Sequence, residues 1–249
     1  MFDLKKVKLP KDMTPKLFRS HLLSSMSNPN PSDWVGMDKR DKCNSKLISS
    51  GILDRVPVVI GRQPTLHKPS MRAFKAELTD ERSLRINPLC VTGFNADFDG
   101  DQMWCRVPVS EGAVEEVKEL MSIEQNIYYP KNGECSVMPR QEIIYGLNVC
   151  TRSILQKGSS MKSYSGYREL FDDLFMQRVR VQDTVTLDGY TECAGRVAFA
   201  ACLPKEVFNK FGVKEVTSKT IAPYVEAMLD VSIDSAIDGI DRMVELGFK

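Results

Sequence analysis

The sequence predicts an α+β protein with short strands in its first half and helices in most of its second half. Residues 56–60 form a short, β-branched apolar run, which is typical of a buried strand. Residues 73–91 follow the pattern strand, polar turn, strand, and residues 103–109 are again strand-like. Residues 233–244 keep apolar side chains at helical spacing, and Gly247 follows them as a predicted helix end. We therefore expect small sheets followed by a mainly helical region.

Two further helices are predicted from the residues that begin them. Thr14 is a good N-cap and Pro15 suits the first helical position. Ser110 is predicted to cap a second helix, and the Asn- and Pro-rich residues 27–32 to form a loop. The apolar faces of the two helices consist of Leu17, Phe18 and Leu22 in the first and Val114, Val117 and Met121 in the second.

The chain is expected to contain two domains. Residues 157–166 are rich in Gly, Ser and Lys, a composition that favours a linker. The predicted domains are residues 1–157 and residues 158–249. The 249 residues, 42% of them hydrophobic, are enough for one or two cores.

Composition excludes several classes of function. The net charge is +1, so nucleic-acid contacts must come from local patches or from partner chains. Charged residues interrupt the first ten positions, which argues against a signal peptide, and no apolar run is long enough to span a membrane.

The seven cysteines are scattered, odd in number and without C-x-x-C spacing. Such cysteines are typical of small buried side chains in a reducing compartment. We therefore expect a cytoplasmic protein without structural zinc.

Three carboxylates at alternate positions carry the strongest chemical signal. Asp97, Asp99 and Asp101 lie in the run that begins at Asn95, with Gly100 among them. An extended backbone would point all three to one side, and a tight turn at Gly100 would bring them closer. Because three like charges repel, a cation must balance them or some must be protonated. Oxygen-only ligands in an open cluster predict Mg²⁺.

Three other kinds of structure share parts of this pattern. A surface turn rich in Asp and Gly is common, but apolar residues flank this one on both sides. An EF-hand beginning at Asn95 fails because Arg106 occupies the position of the bidentate Glu. A D-x-D metal site of a sugar-nucleotide transferase stays open on spacing alone.

A mildly basic segment precedes the carboxylates, and Arg62 is its most specific residue. Arg62 follows the predicted strand 56–60 and precedes a Pro-Thr turn. Its planar guanidinium can offer several donors to ribose or phosphate oxygens.

The basic segment and the carboxylates together resemble the active-site region of the β′-type largest subunit of multisubunit, DNA-dependent RNA polymerases. The matching residues are Arg62-Gln63-Pro64-Thr65-Leu66-His67, Ala73-Phe74, Asn87-Pro88-Leu89 and the nine residues from Asn95 to Met103. Weaker likeness is found at residues 9–13, 17–18, 132–134, 139, 141, 146–147, 195–197 and 203–204. Gly61 and Gln63 depart from the Asn and Ala that usually flank the arginine.

The resemblance implies a set of roles. Asp97, Asp99 and Asp101 would be catalytic and hold Mg²⁺ at the RNA 3′ end, with a second Mg²⁺ arriving with the nucleotide. Arg62, Asn95 and, more weakly, Gln141 would bind substrate. His67 matches a family position, but we interpret it as a buried histidine hydrogen-bonded to backbone.

The resemblance also implies a fold. Residues 1–157 would form part of a double-psi β-barrel with a catalytic carboxylate loop, and residues 158–249 a funnel-like, mainly helical region.

The implied partners are other RNA polymerase subunits (β-like chains and remaining β′ fragments), template DNA, the RNA transcript and ribonucleoside triphosphates, without a membrane. The family's bridge helix and trigger loop would follow the last residue, so we expect a split β′ subunit that resembles those of phiKZ-like giant bacteriophages. Its setting would then be the host cytoplasm or the virion. The alternatives are a non-catalytic assembly subunit and a stand-alone metal-dependent transferase or phosphoesterase.

Overall fold

The computed structural model describes residues 3–25, 37–152 and 158–248, and it divides into two compact units. The N-terminal unit is Asp3–Val137, and the C-terminal unit contains Met138–Lys249. The division therefore falls earlier than the boundary predicted after residue 157. The loop predicted at residues 27–32 lies outside the described residues.

The N-terminal unit combines a mixed sheet with short helices. Its described strands are β1 (Lys6–Pro10), β2 (Val58–Gly61), β3 (Met71–Thr79) and β4 (Trp104–Arg106). Its described helices are α1 (Thr14–Leu17), α2 (Arg19–Ser24), α3 (Met37–Ser49), α4 (Ile52–Arg55), α5 (Val91–Phe94) and α6 (Glu111–Met121).

The strand order of this sheet is β1-β3-β2-β4. Strands β1 and β3 are parallel, whereas β2 is antiparallel to both β3 and β4. All four residues of β2 are buried, as its β-branched sequence predicted. Gly61 at the end of β2 lies opposite Trp104 at the start of β4. This pairing brings the chain that leaves β2 beside the chain that enters β4.

The second strand predicted within residues 73–91 is wrong. Beyond β3, Arg85 makes only an isolated antiparallel bridge with Lys8. The side chain of Asn87 then accepts a hydrogen bond from the N–H of Leu89 and caps a 3₁₀ turn, Pro88–Cys90. A proline without an N–H and a capping asparagine favour this turn over a strand.

The two predicted helix starts have different outcomes. Ser110 caps α6 as predicted, because its Oγ accepts a hydrogen bond from the N–H of Ala113 at 3.3 Å. Thr14 is wrong as an N-cap: Met13 holds that position, and the Thr14 hydroxyl instead donates to the carbonyl of Pro10 at 2.8 Å.

The C-terminal unit combines helices with a small sheet. Its described helices are α7 (Glu142–Thr151), α8 (Tyr167–Phe175), α9 (Ala194–Ala200), α10 (Lys205–Phe211), α11 (Ile221–Val231) and α12 (Ile233–Phe248). Its described strands are β5 (Gly158–Tyr164), β6 (Asp183–Leu187) and β7 (Tyr190–Cys193), in the order β5-β6-β7.

Two sequence predictions in this unit are wrong. The predicted linker at residues 157–166 contains β5, which pairs in parallel with β6; Lys157 itself lies outside the described residues. Gly247 lies inside α12 instead of ending it. A methyl group on Gly146 of α7 would lie 1.9 Å from the carbonyl oxygen of Gly247, so the two helices approach through their glycines.

The described residues thus form an α+β protein with two small sheets and no closed barrel among the described strands. All seven cysteines are buried, and burial raises the pKa of both Cys105 and Cys150 to about 11. Such thiols stay protonated at neutral pH and pack as small apolar groups, as predicted. Within the described segments, no helix has the length and apolar character that crossing a membrane requires.

Candidate metal centre

The carboxylate loop joins α5 to β4. Helix α5 ends at Asn95, which has the left-handed angles φ 49° and ψ 45°. The N–H of Ala96 donates back to the carbonyl of Val91 at 3.1 Å and closes the turn. Gly100 has φ +116°, a conformation that favours glycine, and it bends the loop between the last two carboxylates. The loop is therefore a tight turn and not an extended strand.

The turn brings the three carboxylates together. Oxygen atoms from Asp97, Asp99 and Asp101 all lie within 4.8 Å of one another. Asp97 and Asp99 are exposed and Asp101 is half-buried. In the described part of the chain, this is the one group of three acidic, histidine or cysteine side chains with a geometry that could hold a metal ion.

Arg62 connects the carboxylate loop to the end of β2. Its Nε lies 2.9 Å from Oδ2 of Asp101, and its Nη2 donates to Oδ1 of the same carboxylate at 3.0 Å. Its Nη1 donates to the main-chain carbonyl of Asn95 at 2.6 Å. The guanidinium thus contacts both ends of the carboxylate loop, and a lysine ammonium could not reproduce this planar fork.

Charge is distributed unevenly over the three carboxylates. A hydrogen bond from Arg62 lowers the pKa of Asp101, which also accepts one from the N–H of Asp97. A hydrogen bond with Asp97, followed by charge repulsion from it, raises the pKa of Asp99. The exposed end of the cluster therefore carries the uncompensated negative charge.

The donor set fits a hard divalent cation. All three side chains offer carboxylate oxygens, and exposure leaves room for water and for a further ligand. Oδ2 of Asp101 accepts from both Arg62 and the N–H of Asp97, whereas Oδ1 accepts from Arg62 and keeps a second acceptor position for a metal ion. The cluster is therefore suited to Mg²⁺, which binds through few carboxylates and retains waters.

The remaining predicted residues lie in different places. Asn95 is exposed beside the carboxylates and contacts Arg62 through its carbonyl. Gln141 belongs to the C-terminal unit, where it is exposed and precedes α7 with φ +47°. His67 is exposed and meets Tyr129 edge-on, with ring centroids 5.7 Å apart, so the prediction of a buried histidine is wrong.

Sequence analysis missed two residues that the structure brings to this region. The Trp104 ring lies so close to Gly61 that a methyl group there would be 2.2 Å from its Cζ2. The departure from the family's usual Asn at Gly61 therefore has a steric reason. Arg72 is fully buried beneath α5, although an arginine in a basic segment is expected to be solvated. Neither contact leaves a local signal in the sequence.

Comparisons with known proteins agree with the motif. Residues 4–123 match the family model described as RNA polymerase Rpb1, domain 2. The chain is 32% identical to the DNA-directed RNA polymerase subunit beta′ of Sulfurimonas denitrificans, with 97% of the chain and 17% of that protein covered. It is 30% identical to the corresponding subunits of a Sulfurovum species and of Campylobacter lari, with coverage of 97% of the chain and 17% and 16% of those proteins. The chain therefore spans about one sixth of the length of these relatives.

Proposed function

We propose that this chain, whose residues 4–123 match the RNA polymerase Rpb1 domain 2 family model, is the catalytic segment of a multisubunit, DNA-dependent RNA polymerase. The observation that carries the proposal is the clustering of the Asp97, Asp99 and Asp101 oxygens within 4.8 Å. Membership of the family alone would also suit a segment without a catalytic role.

The three carboxylates would hold Mg²⁺ for nucleotidyl transfer. In the reaction, the RNA 3′ oxygen forms a bond to the α-phosphorus of a ribonucleoside triphosphate, and the bond to pyrophosphate breaks. When bound, Mg²⁺ would supply charge stabilisation for the attacking oxygen and the leaving phosphate, with a second ion arriving with the nucleotide. The side chains themselves position charge, and none needs to form a covalent intermediate.

Arg62 and Asn95 would contact the substrate. Their direct contact, a hydrogen bond of 2.6 Å, supports assigning them to one site. The guanidinium N–H groups of Arg62 that do not bond to Asp101 or Asn95 would offer donors to the ribose hydroxyls and favour ribonucleotides over deoxyribonucleotides. Gln141 is proposed to bind substrate on the sequence resemblance alone.

Partner chains would complete the enzyme. The proposed partners are other polymerase subunits, template DNA and the RNA transcript. A net charge of +1 supports the need for partner chains, because this chain alone attracts the negatively charged nucleic-acid backbone only weakly. Leu66 and Phe98 are 72% and 71% exposed beside the site, which suits contact with another macromolecule.

The open sheet would be part of a double-psi β-barrel. Its outer strand β4 pairs on one side only among the described strands, which leaves room for a strand from a partner chain, whereas the outer edge of β1 already makes a bridge with Arg85 at Lys8. The C-terminal unit would be the funnel-like region of the subunit.

Primer extension tests the proposal. The assembly that co-purifies with the tagged chain is given a DNA–RNA scaffold and ribonucleoside triphosphates, and is compared with Asp99→Ala. We expect extension by the parent and none by the variant. Asp80→Ala is the matched control, because Asp80 is an exposed acid that pairs with Lys11 in the same unit, and it should extend like the parent.

The rival functions give different results. A stand-alone metal-dependent enzyme would be active without co-purifying chains. An assembly subunit would give extension that survives Asp99→Ala. Either result would overturn the proposed catalytic role.

A further inference from the structure

Arg72 is a buried charged side chain in the N-terminal unit. It is fully buried, yet its Nε and Nη1 have no hydrogen-bond partner among the described residues. Its single hydrogen bond there runs from Nη2 to Oγ of Ser136, at 2.8 Å. A buried charge with so few partners destabilises a fold, so its presence calls for a compensating role.

The position of Arg72 indicates that role. Its guanidinium packs against Gly93 so closely that a methyl group there would lie 2.9 Å from Nη2 and 3.2 Å from Cζ. Gly93 lies within the turn that runs from Val91 to Ala96 and leads directly to Asp97. The guanidinium is therefore in contact with the base of the segment that carries the carboxylates.

A chain of buried polar contacts holds Arg72 in place. Ser70, two residues earlier along the chain, donates from Oγ to the carbonyl of Gly93 at 3.3 Å. On the other side, Ser136 accepts from Arg72 and donates to the carbonyl of Asn126 at 3.0 Å. Buried polar groups thus connect the turn to β3 and to the segment around Asn126.

We infer that Arg72 is a positioning residue for the carboxylates: its guanidinium packs against Gly93 and supports the Val91–Ala96 turn from the buried side. This inference rests on the proposed function. Three carboxylates that converge on one point repel one another, so the turn that carries them must be held firmly in place. Arg62 acts from the exposed side of the loop, whereas Arg72 acts from the buried side.

The test is a Mg²⁺ titration of primer extension by the co-purified assembly. Arg72→Gln removes the guanidinium that packs against Gly93 and should raise the Mg²⁺ concentration for half-maximal rate by about tenfold, the lower end of the effect of losing a group that orients metal ligands. The KM for nucleotide at saturating Mg²⁺ should stay close to the parent value. Arg72→Lys keeps a positive charge but lacks the planar guanidinium. Its Mg²⁺ concentration for half-maximal rate should lie between those of the parent and of Arg72→Gln. Arg82→Gln, at an exposed arginine of the same unit, is the control and should match the parent.

Gly93→Ala tests the contact between Gly93 and the Arg72 guanidinium by changing the glycine instead of the arginine. Its methyl group would displace the guanidinium and should raise the Mg²⁺ requirement in the same direction.

The outcomes separate the inference from the proposed function. A purely structural Arg72 would lower the thermal midpoint and the yield of assembly while leaving the Mg²⁺ requirement unchanged, and that result would overturn the inference alone. Loss of assembly in both Arg72 variants and in Gly93→Ala would also overturn the inference alone, because the contact would then be required for folding. Primer extension that survives the Asp99→Ala substitution would overturn the proposed function as well.

Discussion

The guanidinium of Arg62 makes a two-point contact with the carboxylate of Asp101, across 39 residues of sequence. The contact exists because β2 and β4 are antiparallel neighbours, so that the residue after Gly61 meets the loop that precedes Trp104. It joins the most specific basic residue of the sequence to the last of the three carboxylates.

Replacing Arg62 by Lys should distinguish the effect of the positive charge of Arg62 from the effect of its planar hydrogen-bonding geometry. Lysine keeps the positive charge but cannot form the fork to Asp101 while also reaching the carbonyl of Asn95. We expect the preference for ribonucleotides over deoxyribonucleotides to fall by roughly tenfold, the amount expected from losing one hydrogen bond to a charged group. Competition between the two nucleotide types on a scaffold measures it. An unchanged preference would remove Arg62 from substrate selection.

Gly146→Ala should destabilise the C-terminal unit. The new methyl group would lie 1.9 Å from the carbonyl oxygen of Gly247, so α7 and α12 must separate. Overpacking of this kind costs about 1–3 kcal/mol, measurable by thermal or urea unfolding. Gly112→Ala in α6 is the matched control: nothing lies within 4 Å of the added methyl group, and stability should rise by up to about 1 kcal/mol. Equal effects of the two changes would contradict the close helix approach.

Gly61→Ala should be harmful only while Trp104 is present. The added methyl group would overlap the indole ring, at 2.2 Å from Cζ2. The single variant should lose about 1–3 kcal/mol of stability. Adding Trp104→Ala removes the collision, so the two changes together should cost less than the sum of the separate changes. Strict additivity in urea unfolding would show that the ring and the glycine do not constrain each other.

Asp173 should make the stability of the C-terminal unit depend on pH. Its carboxylate is 6% exposed and accepts hydrogen bonds from Lys162, Tyr164 and Arg178. The hydrogen bond from Lys162, followed by that from Tyr164, lowers its pKa below the ordinary value of 3.8. Because the folded pKa is the lower one, the stabilisation is present above 3.8 and is lost as the pH falls through the folded pKa.

Urea unfolding of the parent and of Asp173→Asn measures this dependence. The variant should be less stable at neutral pH, and the difference between the two midpoints should shrink in acid below pH 3.8. A difference that stays constant into that range would show that the ionised carboxylate does not stabilise the fold.

The candidate site was predictable where its chemistry is local in sequence. The three aspartates lie within five consecutive residues, so any turn at Gly100 brings them together, and the structure has that turn. Ser110 was predictable for the same reason, because an N-cap bonds to a residue three positions away.

The rest depended on contacts between distant parts of the chain. The contact of Arg62 with Asp101 required knowing which strands pair, and periodicity does not give strand order. The burial of Arg72 opposes the general preference of arginine for water, so composition argued against it. The strand β5 was predicted as a linker because its Gly, Ser and Lys content resembles loops, whereas pairing with β6 overrides that propensity.

A change of metal preference in Asp99→Cys tests the central claim most directly. If Asp99 binds the catalytic ion, the thiolate should abolish extension supported by Mg²⁺, because Mg²⁺ requires oxygen ligands. A thiolate-preferring ion such as Cd²⁺ should then restore extension in the variant more than it does in Asp99→Ala. Extension by Asp99→Cys at the parent rate in Mg²⁺ alone would contradict the account, because Asp99 would then not be a ligand of the ion that supports catalysis.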